Sequence, residues 1–370
     1  MKLSIILQGR NDNYCGNFIE RLQLSINQHI RNIVKSNTLN KVEIIVSDWG
    51  SEIPLSTKLE IDPNYSDLVR FIFTPLSICK KYEKDSPYSM PHAVNVAIRR
   101  AKSEYIFFTD SDGFLPFETF QFILSLIDNN YNKILFCERR DIPKLVYENK
   151  TVEEIEKVIS LYNFQMSPLF NEDNITFRGT AIGYFGKKEI FFELRGFDEN
   201  MIYWGYFDLD FFKRVKSYFN FDILSNYNKK MYHLEHFSNL SARIENNSRK
   251  FNSPVEPNCI TRNNEYWGLA NEIIYESKVI KKGVPPKELI TPYKEFYESL
   301  SLYNNNEDDR VINILRKLVI DYPTYYEAIL LLAKTLIRKK EYRTAKSLLK
   351  KVYDNDKTLI EAEELLDSLD

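Results

Sequence analysis

Tyr105-Ile106-Phe107-Phe108-Thr109-Asp110-Ser111-Asp112-Gly113 is the stretch whose reading decides the fold. The run 105–109 is aromatic, β-branched and uncharged, which predicts a strand covered on both faces of a sheet. Two carboxylates two residues apart follow, then a glycine. Ligands of open α/β sheets bind at the carboxyl ends of strands, so Asp110 and Asp112 fall where a site is expected. Neighbouring carboxylates repel unless a cation neutralises them, and hard oxygen ligands suit Mg²⁺ or Mn²⁺. The same Asp-Ser-Asp-Gly run is equally good turn chemistry. Both readings stand at this point.

Working outward, the flanks alternate. Leu3–Leu7 reads as a first strand, ending in the polar set Gln8, Arg10, Asn11, Asp12. Residues 17–36 carry Phe18, Leu22, Ile26, Ile30 and Ile33 at helical spacing. Val42–Val46 is a second strand, running into Ser47-Asp48-Trp49-Gly50-Ser51, and Arg70–Thr74 is a candidate third. Pro91 opens a helix through Ala101. Strand, helix and strand in alternation predict a parallel sheet with crossover helices. Beyond the central strand, 117–130 reads as a helix and Ile134–Cys137 as a strand, followed by a less regular stretch. Residues 179–186 read as glycine-rich, 187–196 as a short helix ending at Gly196, and 204–219 as a helix with acidic residues first and basic ones last, matching a helix dipole. Residues 238–265, rich in Asn, Ser and Arg, read as a loop or cover.

The 370 residues allow one large domain and a small one. With 44% hydrophobic and 28% charged residues the chain is globular, not disordered, and a net charge of −2 excludes a general pull toward nucleic acid. Cys15, Cys79, Cys137 and Cys259 have no paired spacing, so neither a disulfide framework nor a zinc site is expected, and a cytoplasmic location follows as the expectation, with docking at the inner face of a membrane left open. No stretch has the length of a membrane span. Gly283-Val284-Pro285-Pro286 marks a linker. After it, a shift of 34 residues aligns Leu315 with Leu349, Ala328 with Ala362, and Leu331-Leu332 with Leu365-Leu366. A 34-residue period of paired helices resembles the tetratricopeptide repeat, and two units are expected to pack on a preceding domain.

Together these pieces resemble the GT-A glycosyltransferases, particularly family 2 and its relatives with a galactosyltransferase-type C-terminal motif. Asp48-Trp49-Gly50-Ser51 stands where that family has Asp-Asp-Gly-Ser, with Trp49 in place of the second acid. Ala93-Val94-Asn95 stands where it has Ala-Arg-Asn, and Asp110-Ser111-Asp112 matches Asp-x-Asp. Gly196-Phe197-Asp198 followed by Trp204-Gly205-Tyr206-Phe207-Asp208-Leu209-Asp210 and Arg214 matches the C-terminal motif, with Phe207 replacing a glutamate. The resemblance implies an α/β fold, a GT-A (nucleotide-diphospho-sugar transferase) Rossmann-like mixed sheet over 1–284, then a small all-α helical-repeat tail over 293–370. It implies a metal-dependent, inverting transfer of a hexose or N-acetylhexosamine from a UDP-sugar to a glycan, lipid-linked or peptide acceptor. Asp208 would be the catalytic base. Gln8, Arg10, Asp48, Asn95, Asp110, Ser111 and Trp204 would contact the sugar nucleotide. Asp112, with His233 or His236, would hold Mn²⁺ or Mg²⁺ against the leaving diphosphate. The repeats would serve a protein partner or self-association.

Three other readings compete. A haloacid-dehalogenase phosphatase would use Asp110 as nucleophile, but its motif follows the first strand and continues Gly-Thr, whereas Phe114 stands here. A sugar nucleotidyltransferase wants a glycine-rich basic loop after the first strand, for which Gly9-Arg10 is a poor remnant. A non-catalytic sugar-nucleotide or partner-binding scaffold is the third.

Overall fold

In the computed structural model, residues 1–12, 14–82, 88–164, 181–201, 207–236, 260–272, 274–278, 287–323, 325–355 and 360–369 are described. The chain divides into two compact units, Met1–Lys282 and Gly283–Asp370.

The first unit is α/β. In chain order it comprises β1 (Leu3–Gly9), α1 (Phe18–Lys35), β2 (Val42–Trp49), β3 (Val69–Thr74), α2 (Leu76–Tyr82), α3 (Met90–Arg100), β4 (Tyr105–Thr109) and β5 (Gly113–Phe114). It continues with α4 (Phe117–Asp128), β6 (Ile134–Ile142), α5 (Lys144–Tyr147), α6 (Val152–Leu161), β7 (Ala181–Lys187), α7 (Lys188–Glu193), α8 (Phe207–Tyr218), β8 (Phe221–Ile223), β9 (Met231–Leu234) and β10 (Tyr275–Lys278). The strands run in the order β10-β3-β2-β1-β4-β7-β6-β9-β5, with β8 paired to β6. β3, β2, β1 and β4 are parallel. β7 is antiparallel to both β4 and β6, and β9 is parallel to β6 but antiparallel to β5. The sheet is therefore mixed.

Strict alternation divides the continuous apolar runs between two cores. Leu3, Ile5, Leu7, Ile44, Val46 and Phe107 join the core beneath α1 and α4. Ile6, Ile45, Ile106 and Phe108 join the opposite core beneath α3, α7 and α8. Trp49 lies wholly in that second core, tilted on His92 with ring centroids 5.5 Å apart, which accounts for an apolar residue where the family has an acid.

Three features depart from the sequence reading. Within the stretch 179–186, read only as glycine-rich, Ala181 begins a central strand that runs to Lys187. A Cβ on Gly186 would come 2.5 Å from Ile134 Cδ1, and one on Gly183 would come 3.1 Å from Phe107, so these glycines make room for neighbouring side chains. β6 does not stop at Cys137. It passes a register shift at Cys137/Glu138 and continues through Arg139, Arg140 and Asp141 beside β9. The stretch read as irregular also holds α6, whose capping box is Thr151 with Glu154.

α1 is buried on two sides. Its apolar stripe meets the sheet as expected, and a second stripe of Arg21, Ser25, Gln28 and Asn32 is also buried. Ser25 Oγ donates to the Gly113 carbonyl at 2.7 Å, and Gln28 and Asn32 both donate to the Leu115 carbonyl. These bonds satisfy the short β5 segment and fix the chain just after Asp112.

The second unit is all helical: α9 (Lys287–Asn304), α10 (Asp308–Asp321), α11 (Tyr326–Arg338), α12 (Tyr342–Asn355) and α13 (Ile360–Ser368). Val311, Leu315 and Leu318 of α10 are buried, as are Ala345, Leu349 and Val352 of α12. The linker residues 283–286 and most of the expected cover, 238–259, lie outside the described residues. Among the described residues no helix is long and apolar enough to cross a membrane.

Candidate active site

The Asp110–Gly113 segment is a turn that also aims a carboxylate. Gly113 N–H donates to the Asp110 carbonyl at 2.9 Å, closing the turn at the end of β4. Inside it, Asp112 points at two histidines. Its Oδ1 lies 3.4 Å from His233 Nε2 and its Oδ2 lies 3.2 Å from His236 Nε2. One ligand atom from each residue falls within 4.8 Å of the others. Strand pairing produces this arrangement, because His233 on β9 lies between Gly113 of β5 and Asp141 of β6.

The donor set fits a divalent cation on its chemistry: one carboxylate and two imidazoles. His233 Nδ1 lies 2.9 Å from Asp141 Oδ1. An ionised carboxylate only accepts, so Nδ1 carries a proton in this contact, and Nε2 is the nitrogen that faces Asp112. Burial pushes the Asp112 carboxyl up, but His233, His236 and Arg21 outweigh it and hold the group well below the usual carboxylate range. Half-buried Asp110 behaves oppositely. Burial first, then the nearby Asp112 and Asp208 carboxylates, push it well above its ordinary value, against the pull of Arg139. Asp110 thus stands in the field of both Asp112 and Asp208.

Asp208 is buried in the first turn of α8. The other polar residues of that motif hold the helix in place. Arg214 Nε bonds Asp210 Oδ2 at 2.7 Å, and its two remaining nitrogens donate to the carbonyls of Leu194 and Gly196. Arg262 donates to the other Asp210 oxygen at 3.0 Å. Gly196 sits at φ +67, where a Cβ would meet Asn95 Oδ1 at 2.2 Å, so only glycine fits. Phe207 packs against Phe197 with ring centroids 5.5 Å apart.

At the ends of β1 and β4, Ser111 Oγ donates to the Gln8 carbonyl and the Tyr88 hydroxyl donates to Gln8 Oε1. Arg10 lies over the Tyr88 ring and pairs with Asp12 at 2.6 Å. Asp48, at the end of β2, accepts from Ser51 Oγ and from Leu55 N–H at 2.7 Å. Burial pushes its carboxyl up to about 7, opposed by those hydrogen bonds and by Arg10. Gln8, Arg10, Asp48 and Ser111 therefore come together, and Asp110, Asp112, Asp208, His233 and His236 form the adjoining group. Asn95 does not join either. It is fully buried, donating to the Phe197 carbonyl (2.8 Å) and Glu199 Oε1 (3.0 Å) and accepting from Phe197 N–H (2.8 Å), so it stitches the 196–199 turn to α3. Trp204 lies outside the described residues.

Three site residues escaped the sequence reading: Arg21, Arg139 and Asp141. Arg21 had a signal, since it begins the polar stripe of α1 at i, i+4, i+7 and i+11. Asp141 and Arg139 had none, because charged residues after a strand read as a loop.

The sequence model of the family described as "Glycosyltransferase like family 2" matches residues 25–253. No curated protein sequence matches the chain. Among solved structures it is similar to Staphylococcus aureus TarS, at 14% identity and a TM-score of 0.43, covering 95% of this chain and 54% of that one. The chain thus spans about half the length of that structure. It is also similar to TarS 1–349 in complex with UDP, at 14% identity and a TM-score of 0.43, covering 99% of this chain and 92% of that one. The family match covers more than half of the sequence, and the chain belongs to glycosyltransferase-like family 2.

Proposed function

We propose that the protein is a metal-dependent, inverting glycosyltransferase that moves a hexose or N-acetylhexosamine from a UDP-sugar to a glycan, lipid-linked or peptide acceptor. The observation that carries this reading is the cluster of Asp112, His233 and His236 at the end of β4, whose ligand atoms lie within 4.8 Å of one another. Asp112, His233 and His236 would hold Mn²⁺ or Mg²⁺, which when bound offsets the negative charge growing on a departing diphosphate. Gln8, Arg10, Asp48 and Ser111 line the position for the nucleoside. Asp208 takes the proton of the acceptor hydroxyl as it attacks the sugar carbon from the face opposite the leaving group. One base and one displacement give inversion. The UDP preference rests on family resemblance. The domain reading, a transferase domain over 1–284 and a tetratricopeptide-like domain over 293–370, is part of the proposal. It is supported by helices α10 and α12, and α11 and α13, starting 34 residues apart with matching buried positions. Paired repeats of this kind present a surface for a protein partner or a second copy.

A panel of nucleotide sugars, each with and without Mn²⁺, tests the reading by thermal stabilisation, since a ligand that binds the folded state raises its melting temperature. A metal-dependent rise with one or more UDP-sugars is expected. A rise with none of the panel would sink the donor assignment.

A further inference from the structure

Arg21 is fully buried, and its contacts run in two directions. Toward the site, its Nε lies 3.3 Å from Asp112 Oδ2. Away from it, Nη1 donates to Asn17 Oδ1 at 2.7 Å and to the Gly16 carbonyl, and Nη2 donates to the Tyr14 carbonyl at 3.0 Å. The turn it grips has three successive left-handed residues: Cys15 (φ +54), Gly16 (φ +70) and Asn17 (φ +40). Such a backbone is unfavourable for Cys15 and persists only where its surroundings hold it. The same turn reaches the site a second time, because the Tyr14 ring packs edge-on against His236 at 5.6 Å. Two of the three candidate metal ligands therefore touch this one turn, Asp112 through Arg21 and His236 through Tyr14.

We infer that Arg21 is a positioning residue that ties the 14–17 turn to the metal centre, so that cation binding at Asp112 and the placement of Tyr14 and Cys15 are one linked equilibrium. The inference rests on the metal-centre reading. A cation that takes up the Asp112 charge weakens the pair with Arg21, and every other bond of that guanidinium goes to the turn. By linkage, whatever the cation does to the turn, the turn does to cation affinity. Lysine cannot replace the arginine, since a single ammonium cannot span a carboxylate and three oxygens of the turn at fixed geometry.

Cys15 serves as the reporter. It is partly exposed, whereas Cys79 and Cys137 are buried. The test uses the full chain, with Mn²⁺ and UDP as probes. N-ethylmaleimide modification of Cys15 is followed by peptide mass spectrometry, alongside direct Mn²⁺ binding. In the wild type, Mn²⁺ with UDP should change the Cys15 rate by fivefold or more. Arg21→Gln and Arg21→Lys should lose that response. Asn17→Gly keeps the left-handed backbone and removes one acceptor of Arg21, together with the Asn17 Nδ2 bond to Glu20, so it should respond at most half as strongly, which preserves the test should both Arg21 variants misfold. Mn²⁺ binding with an unchanged Cys15 rate in the wild type overturns the coupling alone. So does a wild-type response in folded Arg21→Gln, or in Asn17→Gly. No Mn²⁺ binding to the wild type overturns the metal centre, and the coupling with it.

Discussion

His233 Nδ1 donates to Asp141 Oδ1 at 2.9 Å, and Asp141 is itself held by Arg139 at 2.8 Å. This chain from arginine through carboxylate to imidazole orients the ring and fixes which nitrogen faces Asp112. Asp141→Asn reverses the hydrogen-bonding freedom of that position, because an amide also donates. Mn²⁺ affinity should fall about 10–100-fold, with the fold retained since Asp141 is only half-buried. Titration calorimetry checks it; unchanged affinity would remove Asp141 from the site.

Asp112 and Asp208 should separate binding from chemistry. Asp112→Ala removes the carboxylate that the two histidines share and should abolish metal-dependent nucleotide binding. Asp208→Asn should leave that binding within about twofold and lower turnover at least about 10²–10⁴-fold, the range for loss of a general base. A scaffold protein would show no turnover to lose, and a phosphatase would lose activity with Asp110→Asn while needing no nucleotide sugar.

Within the same helix, Asp210 should behave unlike Asp208. Its carboxylate is buried and paired with Arg214 at 2.7 Å, and Arg214 also closes the Leu194 and Gly196 carbonyls. Breaking a buried pair by removing one partner typically costs about 3–5 kcal/mol. Arg214→Met should therefore lower the urea midpoint of the first unit strongly, whereas Asp208→Asn should hardly move it.

His29 makes stability acid-sensitive. Its ring is fully buried against Phe107, and neither nitrogen has a hydrogen-bond partner among the described residues. Burial pushes its pKa down to about 3. Between about 3 and the ordinary value near 6.5, the unfolded chain binds a proton that the folded one refuses, so stability is lost as pH falls through this window. The full effect is on the order of 5 kcal/mol. His29→Leu should remove that loss, so variant and wild type should diverge in melting temperature at pH 4.5 more than at pH 7.5. Parallel curves would show that His29 is not the acid-sensitive group.

The alternation of buried strands and helices up to Asp112 was legible because both periods were written in apolar residues: Leu3–Leu7, the α1 stripe, Val42–Val46 and Tyr105–Thr109 all lie where the pattern puts them. The 34-residue spacing of the tail helices was legible for the same reason. β7 was not, since its glycines are set by the bulk of Phe107 and Ile134 on neighbouring strands and leave no local trace.

The opening question, turn or metal ligand, is no longer a choice: the segment is a turn, and it aims Asp112 at two histidines that could share a cation with it. Sequence by itself determined a strand ending in two carboxylates, a turn-forming glycine after them, and two histidines far downstream. Tertiary structure alone decided what each carboxylate faces. Pairing of β5 with β9 and of β9 with β6 brings His233 to Asp112 and Asp141 to His233, and α1 brings Arg21 to the same oxygen that faces His236. These partners lie 29 to 124 residues from Asp112 along the chain. A carboxylate's charge state depends on what surrounds it in space, which no local spacing encodes.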